Sequence, residues 1–170
     1  MNQVIHEFNK SKKEGDKGEA ILDKYFSQDN IILDVPFEMQ KKGIDRVFYH
    51  KKHDFVESVE YKTDSRAADT GNFFIEIWSN KEAKKKGWVY TSKTDTFMFY
   101  IPSKDICYEV EACVLRAEIK ADEKSYKVGS ALNRIPNDGG FYRSEGLLVP
   151  VETIKRICDE VYEGVSTDVQ

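Results

Sequence analysis

Apolar residues in this chain come in short organised runs, and their spacing switches between the helical and the strand period. From about Asp16 to Ser27, Leu22 and Phe26 form one stripe with Ile21 and Tyr25 beside it, the i, i+4 spacing of an amphipathic helix. Ile31 to Val35 reads as a short strand ended by Pro36. Two β-rich runs follow, Ile44 to His50 and Phe55 to Lys62, and the Lys51-Lys52-His53-Asp54 between them predicts a hairpin. Gly71-Asn72 leads into the alternating run Phe73 to Trp78. After the basic segment Lys81 to Lys86 come the strand-like runs Trp88 to Thr91 and Thr96 to Ile101, the latter stopped by Pro102. Ser103 reads as an N-cap, with Asp105 in the first turn, of a helix through Ile106, Val110, Val114 and Leu115 to about Ile119. Beyond it, Asn137-Asp138-Gly139-Gly140 marks a tight turn and Leu147 to Val149 a strand. Pro150 stands where a closing helix through Ile154, Ile157 and Val161 begins.

With 170 residues and 40% hydrophobic content, the expectation is one domain over 1–170, with a core at about 15–119 and a C-terminal addition at about 120–170. The start of the chain is polar within a few residues and no stretch approaches bilayer length, so no membrane partner and a cytoplasmic location are expected. Cys107, Cys113 and Cys158 form no CxxC pair and read as buried reduced thiols. The net charge of −4 speaks against nucleic acid until its distribution is considered. Residues 41–93 carry twelve Lys/Arg against eight Asp/Glu, a net of +4, whereas the remainder carries 14 against 22, a net of −8.

The basic middle contains an acidic constellation. With a four-residue loop at 51–54, His50 pairs with Phe55, and counting outward sets Asp45 opposite Glu60. Carboxylates ~5 Å apart repel by ~3 kcal/mol at an effective dielectric of about 20, so a cation is required there. Strand period two puts Lys62 on the face of Glu60, while Val59 and Tyr61 point the other way. Hard oxygen donors beside an amine suit Mg²⁺ or Mn²⁺. Glu19 lies on or beside the apolar stripe of the first helix, its helical neighbours being Asp16 and Asp23, so a cation from elsewhere in the fold should meet it. Gly18 lets that helix approach the sheet closely.

Helix Glu19, then Gly43-Ile44-Asp45, then Glu60-Tyr61-Lys62, in this order and on these elements, resembles the PD-(D/E)XK superfamily of restriction-endonuclease-like nucleases over about residues 15–119. The family's proline is absent, since Ile44 precedes Asp45. Gly71-Asn72-Phe73-Phe74-Ile75-Glu76, with Gly87-Trp88 and Thr94-Asp95, resembles small phage or mobile-element members. The resemblance implies an α/β fold with a central mixed sheet of four to five strands flanked by helices. It also implies metal-dependent hydrolysis of DNA by an endonuclease or resolvase-type phosphodiesterase, with homodimers common in such nucleases. Asp45 and Glu60 would ligate Mg²⁺ or Mn²⁺ with the Tyr61 carbonyl, Lys62 would serve the attacking water, and Glu19 would hold a second metal or its water.

Around this centre, Lys81, Lys84, Lys85 and Lys86 are candidates for phosphate contacts and Trp88 for base stacking, or else a solvated loop and a core aromatic. Glu76 shares a face with Phe74 and Trp78 and is read as facing water rather than the site. Two readings rival the nuclease. One is a non-catalytic nucleic-acid- or protein-binding module on the same fold, and the other is an anti-defence protein of a phage or mobile element acting by protein contact.

Overall fold

The apolar stripe of the first helix lies against a mixed sheet in the computed structural model, which describes residues 5, 6, 8–134 and 140–167. After the two-residue strand β1 (Ile5–His6), helix α1 (Phe8–Phe26) begins well before the stripe does, because its first turns are polar and only the part meeting the sheet needs an apolar face. Strand β2 (Asn30–Asp34), the short helix α2 (Phe37–Gln40), β3 (Arg46–His50) and β4 (Phe55–Thr63) follow. Next come α3 (Ala67–Thr70), β5 (Asn72–Asn80), β6 (Lys85–Lys86), α4 (Trp88–Thr91), β7 (Thr96–Ile101) and β8 (Ile106–Glu111). Helix α5 (Ala112–Asp122), β9 (Lys127–Arg134), β10 (Phe141–Pro150), α6 (Val151–Ile157) and β11 (Glu160–Glu163) complete the described chain.

Two sheets result. The first has six strands in the order β11-β8-β7-β4-β3-β2, so the expected mixed sheet is present and larger than four to five strands. β2, β3 and β4 pair antiparallel in turn, and β7 lies parallel to β4. The second has five strands in the order β1-β9-β10-β5-β6, antiparallel except where β1 joins β9. The C-terminal addition is therefore no appendage: β9 and β10 pair into the sheet that β5 enters from the middle of the chain. The turn expected at Asn137-Asp138-Gly139 lies outside the described residues.

β7 is buried along its whole length, and its alternation divides the core. Met98 and Tyr100 join Leu22 and Phe26 of α1, Phe48, Val59 and Tyr61 on one face. Phe97, Phe99 and Ile101 face Phe73, Ile75 and Ile77 of β5, Leu147 and Val149 of β10, and Leu115 and Ile119 of α5 on the other. β4 follows the same rule, so Val59 and Tyr61 go to the helix while Glu60 and Lys62 go to the opposite side.

Three elements differ from the sequence reading. Ile106–Glu111 is a strand and not the start of a helix: Pro102 to Asp105 form a tight turn, with Asp105 at φ 53°, that pairs Ile101 with Ile106. The helix begins only at Ala112. Trp88–Thr91 is a helical turn after Gly87, and the closing helix stops at Ile157, after which β11 pairs with β8. Of the cysteines only Cys107 is buried, and Cys113 is exposed. Among the described residues no helix is long and apolar enough to cross a membrane.

At Gly18 α1 lies so close to the sheet that a Cβ there would stand 2.0 Å from Thr63 Oγ1. Gly18→Ala should destabilise by about 1–3 kcal/mol through overpacking, despite the better helix propensity of alanine. Urea unfolding of Gly18→Ala, Thr63→Ala and the double variant checks this: in the Thr63→Ala background the penalty should largely disappear.

Candidate active site

Hairpin β3–β4 has the predicted register, with His50 opposite Phe55 and Arg46 opposite Val59. Asp45 stands one step beyond the end of that ladder. Its N–H donates to the Val59 carbonyl at 2.8 Å, and its carboxylate accepts the Tyr61 N–H at 2.8 Å through Oδ2. Asp45 is thus fastened to β4 by backbone bonds on either side of Glu60.

Glu60 is 5% exposed. Its Oε1 is paired with the Lys62 ammonium, so the cation that the acidic constellation demanded is Lys62 itself. Its Oε2 is buried and has no hydrogen-bond partner among the described residues. Such an oxygen costs free energy unless a cation or proton meets it. The space around Oε2 is set by Gly43, at φ 73°, where a Cβ would lie 2.8 Å from Oε2 and 2.7 Å from Ser92 Oγ. Ser92 donates to the Gly43 carbonyl at 2.8 Å, and Arg116 from α5 donates to the carbonyls of Val89 and Ser92 at 2.8 Å each. The loops on both sides of Glu60 are held in this way from below.

Lys62 lies 4.8 Å from the centroid of the Trp88 ring, which packs at 5.1 Å against Phe97. Trp88 is therefore a half-buried wall of the site, placed on α4 and not on a strand. Glu76 is a site neighbour that the sequence reading turned toward water. It is half-buried and close enough to the Trp88 backbone N–H, Lys62 and Glu60 to feel all three. Burial raises its pKa above the usual carboxylate value, and the Trp88 N–H and Lys62 only partly offset this. Glu76 could have been found from strand alternation only if β5 were known to fold over the hairpin.

Glu19 meets its cation on the other side of β4. Arg46 Nη2 lies 3.4 Å from Glu19 and 2.8 Å from Asp23, its Nε donates to both oxygens of Asp23, and its Nη1 donates to the Asp45 carbonyl at 2.8 Å. The Tyr61 hydroxyl adds a bond to Asp23 at 2.9 Å. Burial, followed by the charge of Asp45, raises the pKa of Glu19 against the opposing pull of Arg46. The spacing made a partner for Glu19 necessary, but nothing local in the sequence singled out Arg46. Among the described residues no three His, Cys, Asp or Glu side chains converge to cage an ion.

The basic segment borders this site from the second sheet. Lys81 is paired with Glu145, and Lys86 lies 3.9 Å from the Trp78 ring centroid and 5.3 Å from that of Tyr90. Lys84 and Lys85 are exposed, and Lys85 is near enough to Glu76 to lower its pKa.

Two outcomes follow. Arg46→Ala leaves Glu19, Asp23 and the Asp45 carbonyl without their shared donor and should cost about 3–5 kcal/mol by urea unfolding, with Arg46→Lys recovering only part because an ammonium cannot make the forked contacts. Glu76 has a folded pKa above its unfolded one, so its ionisation costs stability in full above the raised value and not at all below the ordinary value. Glu76→Gln should accordingly raise the melting temperature near about pH 7 and leave it unchanged near about pH 3.

No protein-family model matches the sequence, and neither a curated protein nor a solved structure matches the chain.

Proposed function

We propose that this protein is a Mg²⁺- or Mn²⁺-dependent nuclease of the PD-(D/E)XK type that hydrolyses phosphodiester bonds in DNA. The observation that carries the reading is Glu60: a carboxylate sealed into the fold, with one oxygen on Lys62 and the other buried without a partner among the described residues, while a second carboxylate, Asp45, is fastened to the N–H of the next residue, Tyr61. A mixed sheet with this hairpin inside it and a helix across its back supports a restriction-endonuclease-like fold.

The donor set fits a hard divalent cation of the magnesium kind, which is held by one or two carboxylates and keeps much of its water. Asp45 and Glu60 would hold it, with the Tyr61 carbonyl as a third oxygen. Bound there, the cation supplies charge stabilisation for the scissile phosphate and acidifies a water molecule. Lys62 orients the attacking water and stabilises it as an anion. Trp88, covering the ammonium, excludes bulk solvent and strengthens that interaction. Glu19 acts at one remove: with Asp23 it fixes Arg46, whose Nη1 holds the backbone at Asp45. Lys84 and Lys85 contribute phosphate contacts at the edge of the second sheet.

One observation favours the binding-module reading, namely that Lys62 already neutralises Glu60 within the fold. A gel assay of DNA cleavage with EDTA, Mg²⁺ or Mn²⁺ separates the two. The nuclease reading expects metal-dependent cutting that falls by about 10²–10⁴-fold in Lys62→Ala, a loss of the size seen when a positioned proton-transfer group is removed. Glu60→Gln should lose cutting as well. DNA retention without cutting under any of these conditions would favour the binding module.

A further inference from the structure

A cleft of about 520 Å³ opens directly beside Lys62, between the end of β4 and the face of β5, β9 and β10. Its size falls within the ~300–1,000 Å³ typical of small-ligand sites, enough for one base and its sugar and far too small for a duplex. Four aromatic residues line it: Phe73 and Phe99 are buried, whereas Phe74 and Trp88 are half-buried. The floor under Phe74 is made of glycine: a Cβ at Gly146 would stand 2.7 Å from the Phe74 ring and one at Gly129 3.5 Å from it. The outer end of the ring thereby occupies the space that side chains at these two positions would fill.

The polar groups are fixed. Asn133 donates from Nδ2 to Ser144 Oγ at 3.1 Å and to the Ala131 carbonyl at 3.4 Å, so its amide is held in one orientation at the wall. The acids near the mouth are already engaged. Asp64 accepts backbone N–H groups of Arg66, Ala67 and Phe74, and Glu14 accepts the Ser65 hydroxyl at 2.7 Å. The cationic groups of the lining are Lys62, which also pairs with Glu60, and the exposed Arg66. Aromatic faces, an oriented amide and cations are the complement of an unpaired nucleotide: a π-face, hydrogen-bonding edges and flanking phosphates.

We infer that this cleft binds one unpaired nucleotide of a DNA strand and delivers the adjoining phosphate to Lys62, so that the substrate is single-stranded or carries an unpaired end. The inference rests on the nuclease reading for the fate of that phosphate, but the cleft itself does not depend on it.

The test is fluorescence anisotropy in EDTA with a labelled single strand and with its blunt duplex, on wild type, Phe74→Ala and Ser130→Trp. Ser130 is exposed on the cleft wall, so tryptophan there blocks the space without disturbing the core. The single strand should bind at least about tenfold more tightly than the duplex, and each variant, shown folded by its melting curve, should lose about tenfold on the single strand alone. Equal affinity for the two DNAs, or a preference retained in both variants, overturns the inference. Cleavage run in parallel with Glu60→Gln keeps the two readings apart. Single-strand preference without metal-dependent cutting sinks the nuclease and leaves the cleft. Cutting that needs Glu60 but shows no preference for single strands does the reverse.

Discussion

Arg46 ties together the two parts of the fold that make the site. Its side chain is 14% exposed, and the guanidinium grips Asp23 and Glu19 on α1 and reaches back to the carbonyl of Asp45. A planar cation with several donors can serve two carboxylates and a backbone oxygen at once, which an ammonium cannot do. The apolar stripe of α1 specifies its rotation poorly, so this charged anchor, with the Tyr61 hydroxyl on Asp23, fixes where the helix sits. The same contact stiffens the backbone just before β3, where Asp45 leads into the ladder and turns its carboxylate onto the Tyr61 N–H.

The strand period then assigns the roles. Along β4, Val59 and Tyr61 supply the helix-facing core, and the residues between and after them, Glu60 and Lys62, are pushed to the side closed by the second sheet. A charged pair in that position is tolerable only because Lys62 satisfies Glu60 and Trp88 covers Lys62. The remaining oxygen of Glu60 has no such partner among the described residues. Gly43, Ser92 and Arg116 tie together the loops around Glu60, and on the proposed reading its unmatched oxygen is the one a cation would meet.

Much of this was readable in the chain. A four-residue loop at 51–54 sets the hairpin register outright, so the placement of Asp45, Glu60 and Lys62 followed from counting, and Gly18 marked the close approach of the helix. What stayed hidden depends on tertiary pairing. The spacing of Ile106, Val110 and Val114 suits a helix as well as a strand, and only the turn before Ile106 and the edge offered by β7 decide for the strand. β9 contains Lys127, Gly129, Ser130 and Asn133 and has almost no apolar alternation, because one of its faces borders an open cleft. β5 alternates well, but its sequence does not say that it starts a second sheet, and for that reason Glu76 looked like a solvent residue. Arg46 and Trp88 were obscured in the same way, their partners lying on elements distant in sequence.

The central claim, that Glu60 and Asp45 together form a site for a divalent cation, is tested most directly by calorimetric titration of the protein with Mn²⁺ in the absence of DNA. The account predicts a binding heat for the wild type that disappears in Glu60→Gln and Asp45→Asn while both variants keep the wild-type circular dichroism spectrum. A wild type that gives no heat, or variants that bind Mn²⁺ as the wild type does, would contradict it.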